Sequence, residues 1–254
     1  MEANLAIKKT IKYAQVFGSY LNREEITQRL LSKKVFSEKI INRLTKTIKN
    51  KNDKNYTDKF EKAKKIAERI EKKFADILFL GISGSVASGH PKKNSDIDFL
   101  VITKNNKLWR TRLLLRSWTR INQIPHRKYG EDEKKDEFCF NLWLDESKLL
   151  LPKEKRNLRS AVDLVLLKPL INKNKTYEKF ILINSWVKKW VATPYSIKIK
   201  DIRGKMLDMK VKQNNFDKFM NYLYFWPQYW YMKRKIQEEK IGLHEAFFHR
   251  RMVK

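Results

Sequence analysis

The sequence predicts a mixed fold of the α/β (α+β) kind: a small mixed sheet, an N-terminal helical module resembling a helix-turn-helix, and a helical C-terminal domain. Three observations predict it. Two short apolar runs rich in β-branched residues, Ile77 to Ile82 (ILFLGI) and Ile97 to Ile102 (IDFLVI), read as neighbouring buried strands. Apolar residues recur at helical spacing on both sides of that pair. The polar run Thr45 to Asp58 (TKTIKNKNDKNYTD) lacks alternating hydrophobics and reads as a linker. The expected organisation is residues 1–50, 59–170 and 171–254. A chain of 254 residues buries one substantial core with helical additions.

Helical periodicity first appears over Leu5 to Phe17, Arg23 to Leu31 and Ser37 to Leu44. Asn22 and Glu25 have capping-box spacing, and Ser37 stands where an N-cap is needed. If this module reads DNA, Lys39, Asn42 and Arg43 on its third helix are the candidate readers; a plain three-helix packing module accounts for the same pattern. Lys59 to Ala75 places Phe60, Ala63, Ile66, Ala67, Ile70 and Phe74 on one face, the pattern of a helix packed on a sheet. Leu108 to Ile121 forms a further helix carrying Arg110, Arg112, Arg116 and Arg120, and Arg112 and Arg116 share a face that suits a polyanion or solvent. Beyond the sheet, helical patterns cover Glu154 to Leu167, Tyr177 to Val191 and Phe216 to Glu239, separated by Pro169, Pro194 and the region around Arg203-Gly204.

The stretch Gly84 to Val101 (GSVASGHPKKNSDIDFLV) carries the chemistry. Successive side chains of a strand point to opposite faces, so Asp96 and Asp98 share one face and both carboxylates can hold the same hard cation or cation pair. Gly84 and Ser85 follow the first strand directly, in a small-residue turn whose backbone N–H groups suit phosphate oxygens. Ser85 adds a hydroxyl, and Ser95 and Lys92, just before the aspartates, are further phosphate candidates. Lysines in such a loop are also ordinary solvated residues. A third strand is expected over Glu137 to Leu144 (EFCFNLWL), with Cys139, Asn141 and Trp143 on one face by alternation.

An apolar strand, Gly-Ser, a spacer and Asp-x-Asp on the next strand together resemble the DNA polymerase beta-like nucleotidyltransferase superfamily. SDIDFLVITKNNKLWRTR, CFNLWLDE, RNLRSAVDLVLLKPL, YEKFILINSWV and EAFFHR, in that order, are also similar to segments of a group of bacterial nucleotidyltransferase-domain proteins. The resemblance implies transfer of a nucleoside monophosphate from a nucleoside triphosphate to an acceptor hydroxyl by a two-metal mechanism, with Asp96 and Asp98 holding Mg²⁺ or Mn²⁺. RNA, a small molecule and a protein hydroxyl are the acceptor classes it admits. It also implies a third carboxylate on a later strand, where this chain has Asn141, the usual residue in that bacterial group. An amide coordinates through its carbonyl but takes no proton from an attacking hydroxyl. Asp163, Asp145 and Asp136 are the other acids to consider, Asp145 because period two puts it on the face of Asn141. The rival reading is a noncatalytic nucleic-acid-binding or regulatory protein on the same fold.

Charge is the second large feature. The chain has 57 Lys plus Arg against 28 Asp plus Glu, a formal +29 that attracts polyanions, so RNA or DNA is a candidate partner. Most of it is lysine, with 15 arginines, and guanidinium is the better bidentate reader of phosphate and base. The balance disfavours a cationic antibiotic as acceptor. Trp186, Tyr229 and Trp230 are candidate stacking residues, although aromatics at helical spacing usually serve a core. Tyr222 to Tyr231 (YLYFWPQYWY) is too short to span a bilayer. The lone Cys139 forms no internal disulfide, and His90, His126, His244 and His249 lack zinc spacing. With no secretion-signal pattern at its start, the expected location is cytoplasmic.

Overall fold

A computed structural model describes residues 1–48, 54–128, 131, 134–202, 208, 210, 211, 213–234, 236 and 239–248. The chain divides into two units, one made of Met1–Lys54, Leu150–Leu167 and Phe180–Met206, the other of Asn55–Leu149, Lys168–Lys179 and Leu207–Lys254.

In the first unit, α1 (Glu2–Val16), α2 (Arg23–Gln28) and α3 (Glu38–Leu44) enclose Ala6, Ile7, Leu21, Ile26, Leu30 and Ile41. The Asn22 capping box forms in full, with Glu25 N–H donating to Asn22 Oδ1 at 2.9 Å and Asn22 N–H to Glu25 Oε2 at 2.8 Å. Ser37 occupies the N-cap of α3, but its backbone carbonyl serves the helix and its side chain makes no cap bond. Lys39, Asn42 and Arg43 are exposed. The unit also contains α7 (Leu158–Leu166) and α9 (Lys188–Ile202), which pack together. Pro194 does not bound α9. The break comes three residues earlier, at Val191 (φ −133°, ψ 55°), so Pro194 falls in the first turn after a kink, where its missing N–H costs no helical bond.

The second unit is built on a six-stranded sheet of order β4-β1-β2-β3-β6-β5. Its members are β1 (Ile77–Ile82), β2 (Ile97–Thr103), β3 (Phe138–Asp145), β4 (Lys168–Asn172), β5 (Lys240–Ile241) and β6 (Glu245–Phe247). β2 and β3 are parallel, and the other pairs antiparallel. All six residues of β1 are buried, as an apolar run in a sheet interior requires. α4 (Lys54–Lys73) lays Ala63, Ile66, Ala67 and Ile70 into the same core.

Three strands escape the sequence reading. Pro169, expected to be a separator, lies within β4, an edge strand where a missing N–H is tolerated, beside a register shift at Leu80/Gly81. β5 and β6 are too short to carry a period.

α6 (Leu108–Ile121) has the bounds its periodicity predicts, and α10 (Asn215–Lys233) packs along it. Asn221 Oδ1 accepts from the Trp109 N–H at 3.1 Å and Gln228 Nε2 donates to the Trp109 carbonyl at 2.8 Å, pinning the pair. Arg112 does not face a polyanion. It is 4% exposed, donates to Gln228 Oε1 at 2.6 Å and lies over the rings of Trp109 and Phe248. α8 covers Thr176–Ile183. Arg203-Gly204, His249, Arg250 and the middle of the Thr45 to Asp58 run lie outside the described residues. Among the described residues no helix is long and apolar enough to cross a membrane.

Candidate metal and nucleotide site

β2 lies in the sheet between β1 and β3, and its start, with Asp96 just before it and Asp98 within it, packs against α5 (Gly84–Ala87). Asp96, Asp98 and Cys139 have ligand atoms all within 4.8 Å of one another. Asp96 is 3% exposed, and Asp98 is half-buried.

Gly84 makes the close approach of the α5 turn possible. Its φ of +64° is left-handed, and a Cβ there would overlap Asp98 Oδ2 and stand 3.3 Å from Asp98 Cγ. The Ser83 N–H donates to the Asp98 carbonyl at 2.9 Å, tying the turn to β2. Ser83 is buried, and among the described residues its Oγ has no hydrogen-bond partner. Ser85 Oγ lies 3.5 Å from Ser95 Oγ. Lys92 holds the loop through its carbonyl, which accepts from Ser95 N–H and Oγ at 3.1 and 3.0 Å, while its side chain is exposed.

A bulge decides what β3 contributes. Cys139 pairs with Asp98 and Phe140 with Phe99, but Leu142 then pairs with Leu100, leaving Asn141 as the extra residue. Asn141 Nδ2 donates to Asp98 Oδ1 at 2.6 Å. Past the bulge the alternation inverts. Trp143 pairs with Val101 and joins the core with Phe99, so it does not share the face of Cys139 as period two predicts. Asp145 inverts with it. It pairs with Thr103, five residues along β2 from Asp98, or about 16 Å at strand rise. Fully buried there, Asp145 accepts from the Asn106 and Ser147 N–H groups at 3.2 and 2.9 Å, and its Oδ2 lies 2.6 Å from His244 Nδ1.

Asp163 belongs to the first unit, on α7, where Arg159 and Tyr13 are its charged and polar neighbours; burial pushes its carboxyl up to about 6. Asp136 is taken by Lys59 and Lys62 at 2.6 and 2.7 Å, and although burial opposes it, the two ammonium groups hold its carboxyl below the usual range. Lys59 also donates to the Ser95 carbonyl at 2.7 Å, so α4 braces the loop before the aspartates.

Arg127 is a site residue that sequence reasoning missed. Residues 125–127 run beside the start of β3, with Phe138 N–H donating to the Pro125 carbonyl and Arg127 N–H to the Phe138 carbonyl. This aims Arg127 Nη1 at Asp96 Oδ2, 3.0 Å away. Nothing in the local pattern of IPHRKYG marks that arginine, because its partner lies 31 positions away. Glu137 is the second omission: its carbonyl accepts the Ile97 N–H at 2.9 Å, next to Asp96, and its buried Oε2 has no partner among the described residues.

Electrostatics follow from this packing. Burial, then the Asp98 charge, push the Asp96 carboxyl above its usual range against the pull of Arg127. Burial and the same two carboxylates push the Cys139 thiol up, so it remains a thiol. Two adjacent carboxylates under a glycine turn fit a hard divalent cation, and the unsatisfied Ser83 hydroxyl fits a polar ligand beside it.

Among the stacking candidates, Tyr229 packs on the core and stacks on Phe225, and Trp186 Nε1 donates to Asn184 Oδ1 at 2.8 Å, whereas Trp230 is exposed. None of the curated proteins and none of the solved structures matches this chain. The family model of the nucleotidyltransferase domain matches residues 63–242, a span holding the whole sheet apart from β6, the turn at Gly84 and both aspartates, and by that match the chain belongs to the nucleotidyltransferase domain family.

Proposed function

We propose that the protein transfers a nucleoside monophosphate from a nucleoside triphosphate to an acceptor hydroxyl, with Asp96 and Asp98 holding Mg²⁺ or Mn²⁺. The observation that carries this reading is the convergence of the two carboxylates under the Gly84 turn. A divalent pair bound there supplies activation of the attacking hydroxyl and charge compensation at the leaving oxygens. The chain's own residues position. Gly84 lets backbone approach Asp98, Ser83, Ser85 and Ser95 offer hydroxyls to a triphosphate, and Lys59 fixes the loop that carries Ser95. Arg127 orients Asp96 and offsets its charge. Lys92 supplies an exposed ammonium within reach of solvent-borne phosphate. The acceptor is RNA, a small molecule or a protein, and the location is cytoplasmic.

Calorimetry of Mg²⁺ with ATP, GTP, CTP and UTP, on the parent chain and on the Asp96→Asn, Asp98→Asn double variant, tests the site. Metal-dependent binding lost in the variant is the expected result. A parent chain that binds none of the four, alone or with cellular RNA, metabolite and protein fractions present, overturns it. Asn141 favours one second reading, a noncatalytic nucleic-acid-binding protein that keeps the fold, since an amide bonded to Asp98 accepts no proton. That reading requires nucleic-acid binding that survives the double substitution together with no transfer to any fraction.

A further inference from the structure

α10 buries one face, and among the described residues its opposite face is exposed. Asn221, Phe225, Gln228 and Met232 look toward α6 or the core. On the far side Phe216, Phe219, Leu223, Trp226 and Trp230 recur at alternating spacings of three and four, which keeps them in one stripe. Phe216, Phe219 and Trp230 are 67, 63 and 64% exposed, with Tyr222 and Tyr231 exposed beside them. So many large rings in water on one helix mark an interaction surface.

Three features identify the occupant. Six of the seven exposed residues are aromatic, so the surface offers flat faces in place of an aliphatic seam. The charge around them is positive: Lys218, Lys233 and Arg234 are exposed, Lys233 Nζ sits 5.2 Å over the Trp230 ring, and the helix's one acid, Asp217, is paired with Lys107. At about 1.5 Å per residue the stripe runs about 21 Å and carries four rings, with Leu223 between the two pairs. A line of flat faces with cations near its two ends matches a polyanion whose bases stand free of a duplex. A second copy of this chain brings the same cations and a formal +29 to the contact, which opposes pairing. We propose that the open face of α10 binds single-stranded RNA, the nucleic acid whose bases are ordinarily unpaired and available to aromatic side chains. None of these residues belongs to the Asp96, Asp98 and Cys139 cluster, and the proposal does not depend on the reading of that site.

Fluorescence anisotropy of a labelled oligouridylate of about 20 nucleotides tests the assignment. The full chain is compared with a Phe219→Ser, Trp230→Ser variant, whose exposed positions leave the buried face of α10 intact, with circular dichroism to verify folding. The expected result is an affinity loss of about tenfold or more with an unchanged salt slope, because rings are lost and charges kept. Lys218→Gln lowers the slope by about one, and Asp98→Asn leaves RNA affinity unchanged while abolishing metal-dependent triphosphate binding, so the two sites fail separately. Several outcomes overturn the proposal: parent-like RNA binding by the serine variant, tighter binding of the matching deoxyribose strand, a dimer lost on serine substitution, or anionic phosphatidylserine vesicles taking the place of RNA as the ligand that needs the rings.

Discussion

Asn141 Nδ2 donates to Asp98 Oδ1 at 2.6 Å from the bulged position of β3, so the residue beside the candidate metal ligand is a neutral donor. Asn141→Asp exchanges that donor for a second carboxylate facing the first. Without metal the variant is expected to lose about 1–3 kcal/mol, the cost of an unpaired buried polar group plus like-charge repulsion. Mg²⁺ reverses the loss by binding the folded form, so thermal melts with and without millimolar Mg²⁺ diverge more for the variant than for the parent. Equal divergence in both proteins refutes the placement.

Gly84→Ala tests the close approach. The new Cβ overlaps Asp98 Oδ2, and a left-handed alanine alone costs about 1–2 kcal/mol. Together these predict roughly 2–4 kcal/mol of destabilisation in urea unfolding and at least tenfold weaker Mg²⁺-triphosphate binding by calorimetry. Gly18 also has a positive φ (+72°) but no atom within 4 Å of a Cβ, so Gly18→Ala pays the backbone cost without the binding loss.

Asp145→Asn separates the two faces of β3. The change weakens a fully buried network with Asn106, Ser147 and His244 and is expected to cost about 1–3 kcal/mol. Metal-dependent triphosphate binding is expected to stay within about twofold of the parent under conditions where the variant is folded, because Asp145 lies on the face away from Asp98. A larger loss places Asp145 in the site after all.

Asp163 predicts a pH effect in the first unit. Its folded value of about 6 stands above an unfolded value of about 3.9, so the folded chain holds the proton more tightly. The stability this contributes is complete below about pH 4 and is lost as pH rises through about 6. Arg159, which favours the charged form, and Tyr13, pushed up to about 12 chiefly by burial and then by the Asp163 charge, are the groups that face it. Asp163→Asn removes the dependence. Relative to the parent, the variant is expected to gain about 1–3 kcal/mol between pH 4.5 and 7.5 in paired urea titrations, and a flat difference contradicts the shift.

Particular residues show how far sequence reading reaches. Asp96 and Asp98 share a face because period two holds over three residues, and no distant contact is needed to know it. The Asn22 capping box is equally local, and so is the span of α6. The same period fails over β3, since one extra residue at Asn141 sends Trp143 and Asp145 to the other face, and a bulge leaves no mark in composition. Arg112 looks like a basic surface residue beside Arg116, yet Gln228 and two rings from distant segments bury it.

By itself the sequence determined the paired apolar strands, the turn at Gly84, the two carboxylates on one face and the strongly positive charge, because each depends on residues within one element or on simple composition. Only the tertiary structure decided which arginine meets Asp96, that a bulge brings Asn141 onto Asp98, and that Asp145 and Asp136 are held by other partners. Those outcomes rest on strand register and on contacts between residues tens of positions apart, which burial and chain closure select together and no local pattern encodes.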